Sequence, residues 1–128
     1  MNKIIKRLPD SELEIMMIIW EANEPVTSAY VSEKLRDKKE WKITSVLTFL
    51  ARLTEKRFIT SVREGKINIY SAVISGEEYL NHESKSFLEK LYGNSLTTFV
   101  ASLYKSNAIS DEDLTELRRF IDRKTKGE

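Results

Sequence analysis

A mainly α fold with one small β-hairpin is what this sequence predicts. Apolar residues recur at three- and four-residue spacing along most of the chain, and only after Phe58 does the period fall to two, on either side of Glu64-Gly65. Helix-ending residues, Asn23-Glu24-Pro25 and Gly93-Asn94, lie between the periodic stretches rather than inside them. At 128 residues there is room for one compact domain, or a small domain with a helical appendage.

The first element opens at Ser11-Glu12-Leu13-Glu14, which fits a capping box in which Ser11 and Glu14 satisfy each other's free amides. Leu13, Met16, Met17 and Trp20 follow at helical spacing and predict one buried stripe. Thr27 is the expected N-cap of a short second helix that carries Val31 and Leu35. Beyond the charged connection Arg36-Asp37-Lys38-Lys39-Glu40, a third helix is predicted from about Thr44 to Arg57, with Val46, Phe49, Leu50 and Leu53 inward. Ile59-Thr60-Ser61-Val62-Arg63 and Lys66-Ile67-Asn68-Ile69-Tyr70-Ser71-Ala72 then read as paired strands, with Gly65 supplying the positive φ of the reversal. Three helices followed by a hairpin make a winged helix-turn-helix, placed at residues 1–74.

Residues 75–128 carry no strand signal. Phe87, Leu88, Leu91 and Tyr92 form one helical stripe; Leu96, Phe99, Val100, Leu103 and Tyr104 form the next. Ser110-Asp111-Glu112-Asp113 opens a last helix with Leu114, Leu117, Phe120 and Ile121 on one face, its carboxylates favouring the positive end of the helix dipole. Three short amphipathic helices bury too little surface alone, and an identical chain is the simplest partner. The expected homodimer surface is Phe87, Leu91, Leu96, Phe99, Val100, Leu103, Leu117, Phe120 and Ile121.

Charge sharpens the division. The 21 basic and 20 acidic residues nearly cancel over the chain, yet residues 34–66 hold 10 basic and 4 acidic side chains. Such an excess is a candidate footprint for a polyanion, although a solvated face without a partner has the same composition. On a helical wheel, Thr44, Thr48, Ala51, Arg52 and Glu55 point away from the core, with Leu47 on the flank. That face is slim enough for a major groove of about 12 Å. The candidate DNA-contacting residues are Thr27 and Ser28 at the start of the second helix, Thr44, Ser45, Leu47, Thr48, Arg52 and Lys56 along the third, and Lys42, Arg63 and Lys66 at its edges. Thr44, Leu47 and Thr48 are assigned to base edges, Arg52 and Lys56 to phosphates.

Other functions find little support. There is no cysteine and one histidine, His82, so thiolate zinc sites are excluded, no metal or other cofactor is expected, and His82 beside Ser84 is no catalytic arrangement. No HExxH motif or Gly-rich phosphate loop is present, and an enzyme is not expected. The longest apolar run, Ile15 to Trp20, is far short of the roughly 20 residues of a membrane span, and the N-terminus lacks a signal-peptide core. A cytoplasmic protein that is not itself a membrane protein is therefore expected. The alternative to a DNA-binding role is a winged-helix protein-interaction module whose basic stretch meets an acidic partner.

Leu8-Pro9-Asp10-Ser11-Glu12-Leu13-Glu14-Ile15-Met16, running on to Trp20-Glu21, resembles the opening helix of the penicillinase-repressor (BlaI/MecI/CopY) family. Thr44-Ser45-Val46-Leu47-Thr48-Phe49-Leu50-Ala51-Arg52-Leu53 with Lys56 is similar to its recognition helix. Phe87 to Gly93 and Asp113 to Arg118 resemble its first and last dimerisation helices. The resemblance implies a homodimeric repressor on palindromic double-stranded operator DNA before β-lactamase or related resistance genes. It also implies release by a membrane sensor-protease of the BlaR/MecR type, which cuts the dimerisation region. By resemblance the cleaved asparagine–phenylalanine bond falls at Ser102-Leu103, both departures from the family pair. Thr44 and Leu47 stand where β-lactamase repressors often carry lysine and arginine, which implies a different base preference, and the lack of cysteine argues against the copper-responsive branch.

Overall fold

The computed structural model describes residues 5–127. Its elements run α1 (Asp10–Ala22), α2 (Ser28–Leu35), α3 (Ile43–Glu55), β1 (Ile59–Glu64), β2 (Ile67–Ala72), α4 (Gly76–Tyr92), α5 (Leu96–Lys105) and α6 (Asp111–Thr125). The chain forms two compact units, Met1–Glu83 and Ser84–Glu128. Among the described residues no helix is long and apolar enough to cross a membrane.

In the first unit α1, α2 and α3 close on one core that includes Ile15, Met16, Ile19, Val31, Leu35, Val46, Leu50 and Leu53. The expected capping box of Ser11 and Glu14 does not form. Helix α1 starts earlier, with Pro9 at the N-cap and no side-chain cap, and the Leu13 N–H donates to the Pro9 carbonyl at 2.9 Å. Pro9 has its ring and fixed φ at the entry to the helix, so Ser11 is already inside the first turn. The buried stripe also differs from the expected one. Ile15, Met16 and Ile19 are buried, Leu13 and Trp20 pack at the margin, and Met17 is 57% exposed. The unbroken run from Ile15 to Trp20 offers several possible stripes, and packing against α2 and α3 selects among them.

Asn23 closes α1 in the left-handed region at φ 55°, and Thr27 caps α2 as expected, its hydroxyl accepting from the Tyr30 N–H at 3.1 Å. After α3 the Arg57 N–H donates to the Thr54 carbonyl and the Phe58 N–H to the Leu53 carbonyl. This is a Schellman ending with Arg57 in its left-handed position at φ 65°, where a glycine would be less strained by about 1 kcal/mol. The ending throws Phe58 and Ile59 into the core.

β1 and β2 pair antiparallel, Ile59 opposite Ala72 through Glu64 opposite Ile67, around Gly65 at φ 64°. Period two decides the faces: Ile59 and Tyr70 are buried, while Val62 and Ile67 are exposed on the other side. Val26 adds a bridge to Tyr70, exchanging both backbone hydrogen bonds at 2.8 and 2.9 Å, so the hairpin is anchored to the α1–α2 connection.

The sequence places the end of the winged unit at Ile74; the compact unit also takes in the opening turns of α4. Tyr79 is buried there against Trp20 and Phe58, and its hydroxyl accepts from the Leu8 N–H at 2.9 Å. Burial pushes the Tyr79 phenol up, against the lowering effect of the Leu8 hydrogen bond. A capping box at Ser75 and Glu78 starts α4, with hydrogen bonds of 2.9 and 3.0 Å.

The second unit is built on rings. Phe87, Tyr92 and Phe99 pack mutually with centroids 5.2 to 5.9 Å apart. Ser95 caps α5, and Ser110 and Asp113 form the capping box of α6. The Tyr104 hydroxyl donates to Asp111 at 2.8 Å, and that bond holds the phenol above its ordinary value.

Candidate nucleic-acid interface

Helix α3 buries Val46, Leu50 and Leu53 and turns Thr44, Thr48, Ala51, Arg52 and Glu55 to solvent, as the wheel predicts. Its three sides are chemically distinct. The centre is small and hydroxylated. Along one flank Phe49 packs on Trp41 at 5.2 Å, and the Arg52 guanidinium lies 5.8 Å above the Phe49 ring. This stack holds the cation near the helix without neutralising it. Along the other flank stand Ile43, 46% exposed, and Leu47, 42% exposed.

The hydroxyls are not equivalent. Thr48 donates its proton to the Thr44 carbonyl at 2.9 Å, so in this conformation its oxygen is left to act as an acceptor. Ser45 is half-buried beside the exposed row. Lys42 occupies the N-cap and brings no side-chain acceptor, so no side chain caps the positive end of α3.

The remaining candidates are scattered around this face. Thr27 and Ser28 are half-buried at the start of α2, and the Thr27 hydroxyl is already used as a cap. Arg63 and Lys66 are exposed at the hairpin tip, where the Arg63 Nε donates to the Gly65 carbonyl at 3.2 Å. Lys56 is engaged within the fold: its ammonium pairs with the Glu12 carboxylate, which is only 2% exposed. Helix α3 opens at Ile43, one residue before the start that the sequence predicts, which adds an exposed aliphatic side chain to this flank. No group of three or more His, Cys, Asp or Glu among the described residues is placed to hold a metal ion.

The residues expected to dimerise sort into two kinds. Phe87, Phe99, Val100, Leu103 and Leu117 are half-buried, whereas Leu91, Leu96, Phe120 and Ile121 are exposed. Ser102 and Leu103 lie within α5 and are half-buried.

Three helices closed on one core with a two-stranded wing beside the exposed α3 define a winged-helix protein. Residues 8–123 match the family model described as penicillinase repressor. The chain belongs to that family of DNA-binding repressors, and it is not an enzyme. It is 28% identical to the penicillinase repressor of Bacillus licheniformis over 120 residues, covering 94% of this chain and 93% of that one. It is 25% identical to the methicillin resistance regulatory protein MecI of Staphylococcus aureus (strain N315) over 117 residues, covering 91% and 94%. The solution structure of the DNA binding domain of the repressor BlaI superposes with a TM-score of 0.53 at 28% identity, over 61% of this chain and 94% of that domain. The Bacillus licheniformis BlaI monomeric form in complex with the blaP half-operator gives 0.51 at 28% identity, with the same coverage.

Proposed function

We propose that this repressor acts in the cytoplasm as a homodimer on a palindromic operator before β-lactamase or related β-lactam-resistance genes, and that cleavage in its helical region releases it. The exposed face of α3 carries the proposal. Thr44, Leu47 and Thr48 are set to meet base edges while Arg52, held on Phe49, meets a phosphate; Lys42, Arg63 and Lys66 extend the cationic border. The similar BlaI structure in complex with the blaP half-operator supports operator DNA as the partner. Residues 75–128 serve as the dimerisation region, whose exposed Leu91, Leu96, Phe120 and Ile121 need a cover that a second copy supplies. The two recognition helices of such a dimer stand about 34 Å apart, one DNA turn.

The test separates the two kinds of contact. Thr48→Ala should relax sequence preference, whereas Arg52→Ala should weaken every duplex alike and lower the salt slope by about one unit. Binding titrations at several salt concentrations, on palindromic and scrambled duplexes, read both. If both variants bind as the parent does, the α3 face is not the DNA interface and a protein partner takes its place.

Release is assigned to the Ser102-Leu103 bond, cut by a membrane sensor-protease of the BlaR/MecR type. The Ser102 carbonyl accepts from the Ser106 N–H at 3.1 Å and the Leu103 carbonyl from the Ala108 N–H at 2.9 Å, so this stretch of α5 must open before a protease can seat it. Mass spectrometry of the repressor from β-lactam-treated cells should find a fragment ending at or near Ser102. Induction with the chain intact would remove cleavage from the mechanism.

A further inference from the structure

The two flanks of α3 differ in kind, and the apolar one is unexplained by folding. Ile43 and Leu47 stand four residues apart, a separation that puts both on one side of a helix and about 6 Å apart along its axis. Both are exposed branched aliphatics, although Val46, Leu50 and Leu53 already complete the buried face. They adjoin the row of Thr44 and Thr48, and with Arg52 on the opposite flank they form the large apolar part of the face. In the major groove the pyrimidine C5-methyl of thymine is the one apolar group that a base edge offers. Successive bases on a strand are about 3.4 Å apart, so an i, i+4 pair spans two base steps.

We propose that Ile43 and Leu47 form a thymine-reading stripe, each covering the C5-methyl of one thymine, the two separated by about two base steps in each half-site. The inference rests on α3 being the recognition helix and names what that helix selects. Isoleucine and leucine have no hydrogen bond to offer, so the discrimination is against cytosine and uracil at those positions through loss of apolar contact alone. Covering a single methyl corresponds to about a three- to fourfold gain in affinity, and both together to roughly tenfold if they act independently.

The experiment uses the full chain and a duplex that it selects itself from a random-sequence pool. Each thymine of that duplex is replaced in turn by deoxyuridine, which removes the C5-methyl and leaves pairing intact, and affinity is read by fluorescence anisotropy. Two positions per half-site should lose about three- to fourfold. Leu47→Ala should abolish the loss at one of them and Ile43→Ala at the other; both side chains are exposed, so the variants keep the parent's fold. Uracil substitutions that cost nothing, or losses that persist unchanged in both variants, overturn the stripe while leaving the repressor reading in place. A protein that selects no preferred duplex overturns the repressor reading and the stripe with it.

Discussion

Replacing Lys56 by methionine should destabilise the winged unit by about 2–3 kcal/mol, a large share of the 5–15 kcal/mol that typically holds a domain folded. Glu12 is almost fully buried on α1, and the Lys56 ammonium at the end of α3 is its ion-pair partner. Removing the cation leaves a carboxylate among apolar side chains with its desolvation uncompensated, which costs about 3–5 kcal/mol for a fully buried pair. Lys56 is half-buried, so water reaches one side of the pair and the cost falls below that range, to the roughly 2–3 kcal/mol expected. The double variant Glu12→Met with Lys56→Met should recover to within about 1 kcal/mol of the parent, because a buried pair and a well-packed apolar replacement are nearly equivalent. Urea denaturation at one fixed protein concentration measures all three variants. A salt titration of DNA binding by the Lys56→Met variant, beside its urea curve, decides the role of Lys56. If the single variant unfolds at the parent's urea concentration but shows a smaller salt slope on DNA, Lys56 is a phosphate contact after all; the observed pairing with Glu12 leads us to expect the opposite.

Leu96→Glu should convert the protein to a monomer and weaken operator binding by about 10²–10⁴-fold. In the single chain Leu96 is 54% exposed and Leu91 65%, so a carboxylate at position 96 costs the monomer almost nothing. At an interface between two copies the same carboxylate would be buried twice without a partner. A dimer holds its second recognition helix at a high effective concentration over the second half-site; a monomer has only half an operator to bind. Sedimentation and operator titration of the same preparation check the two halves of the expectation together. A variant that remains dimeric moves the interface elsewhere on α4 to α6, and a monomer that retains full affinity separates dimerisation from repression.

Much of the fold was legible because it is written in local chemistry. The period change after Phe58, Gly65 at the reversal, Thr27 before Tyr30 and Ser110 before Asp113 each act over a few residues, and each forms the predicted local structure. The outward face of α3 was equally legible, since Val46, Leu50 and Leu53 leave only one orientation for a helix this amphipathic. A start signal can still be overlooked: Ser75-Gly76-Glu77-Glu78 has the spacing of a capping box, and it is where α4 begins.

What remained hidden depends on residues far apart in the chain. An apolar run without gaps does not say which of its side chains face inward, and α2 and α3 chose Ile15, Met16 and Ile19 over Met17. Nothing in the sequence pairs Glu12 with Lys56, Val26 with Tyr70, or Leu8 with Tyr79, because each contact exists only after the helices have packed. Local spacing by itself thus determined most of the elements and the outward face of α3, through interactions between neighbours in sequence. Only tertiary packing decided which cations remain free for a polyanion and which are held by a buried carboxylate, since a charge is worth more to a fold the less water it shares.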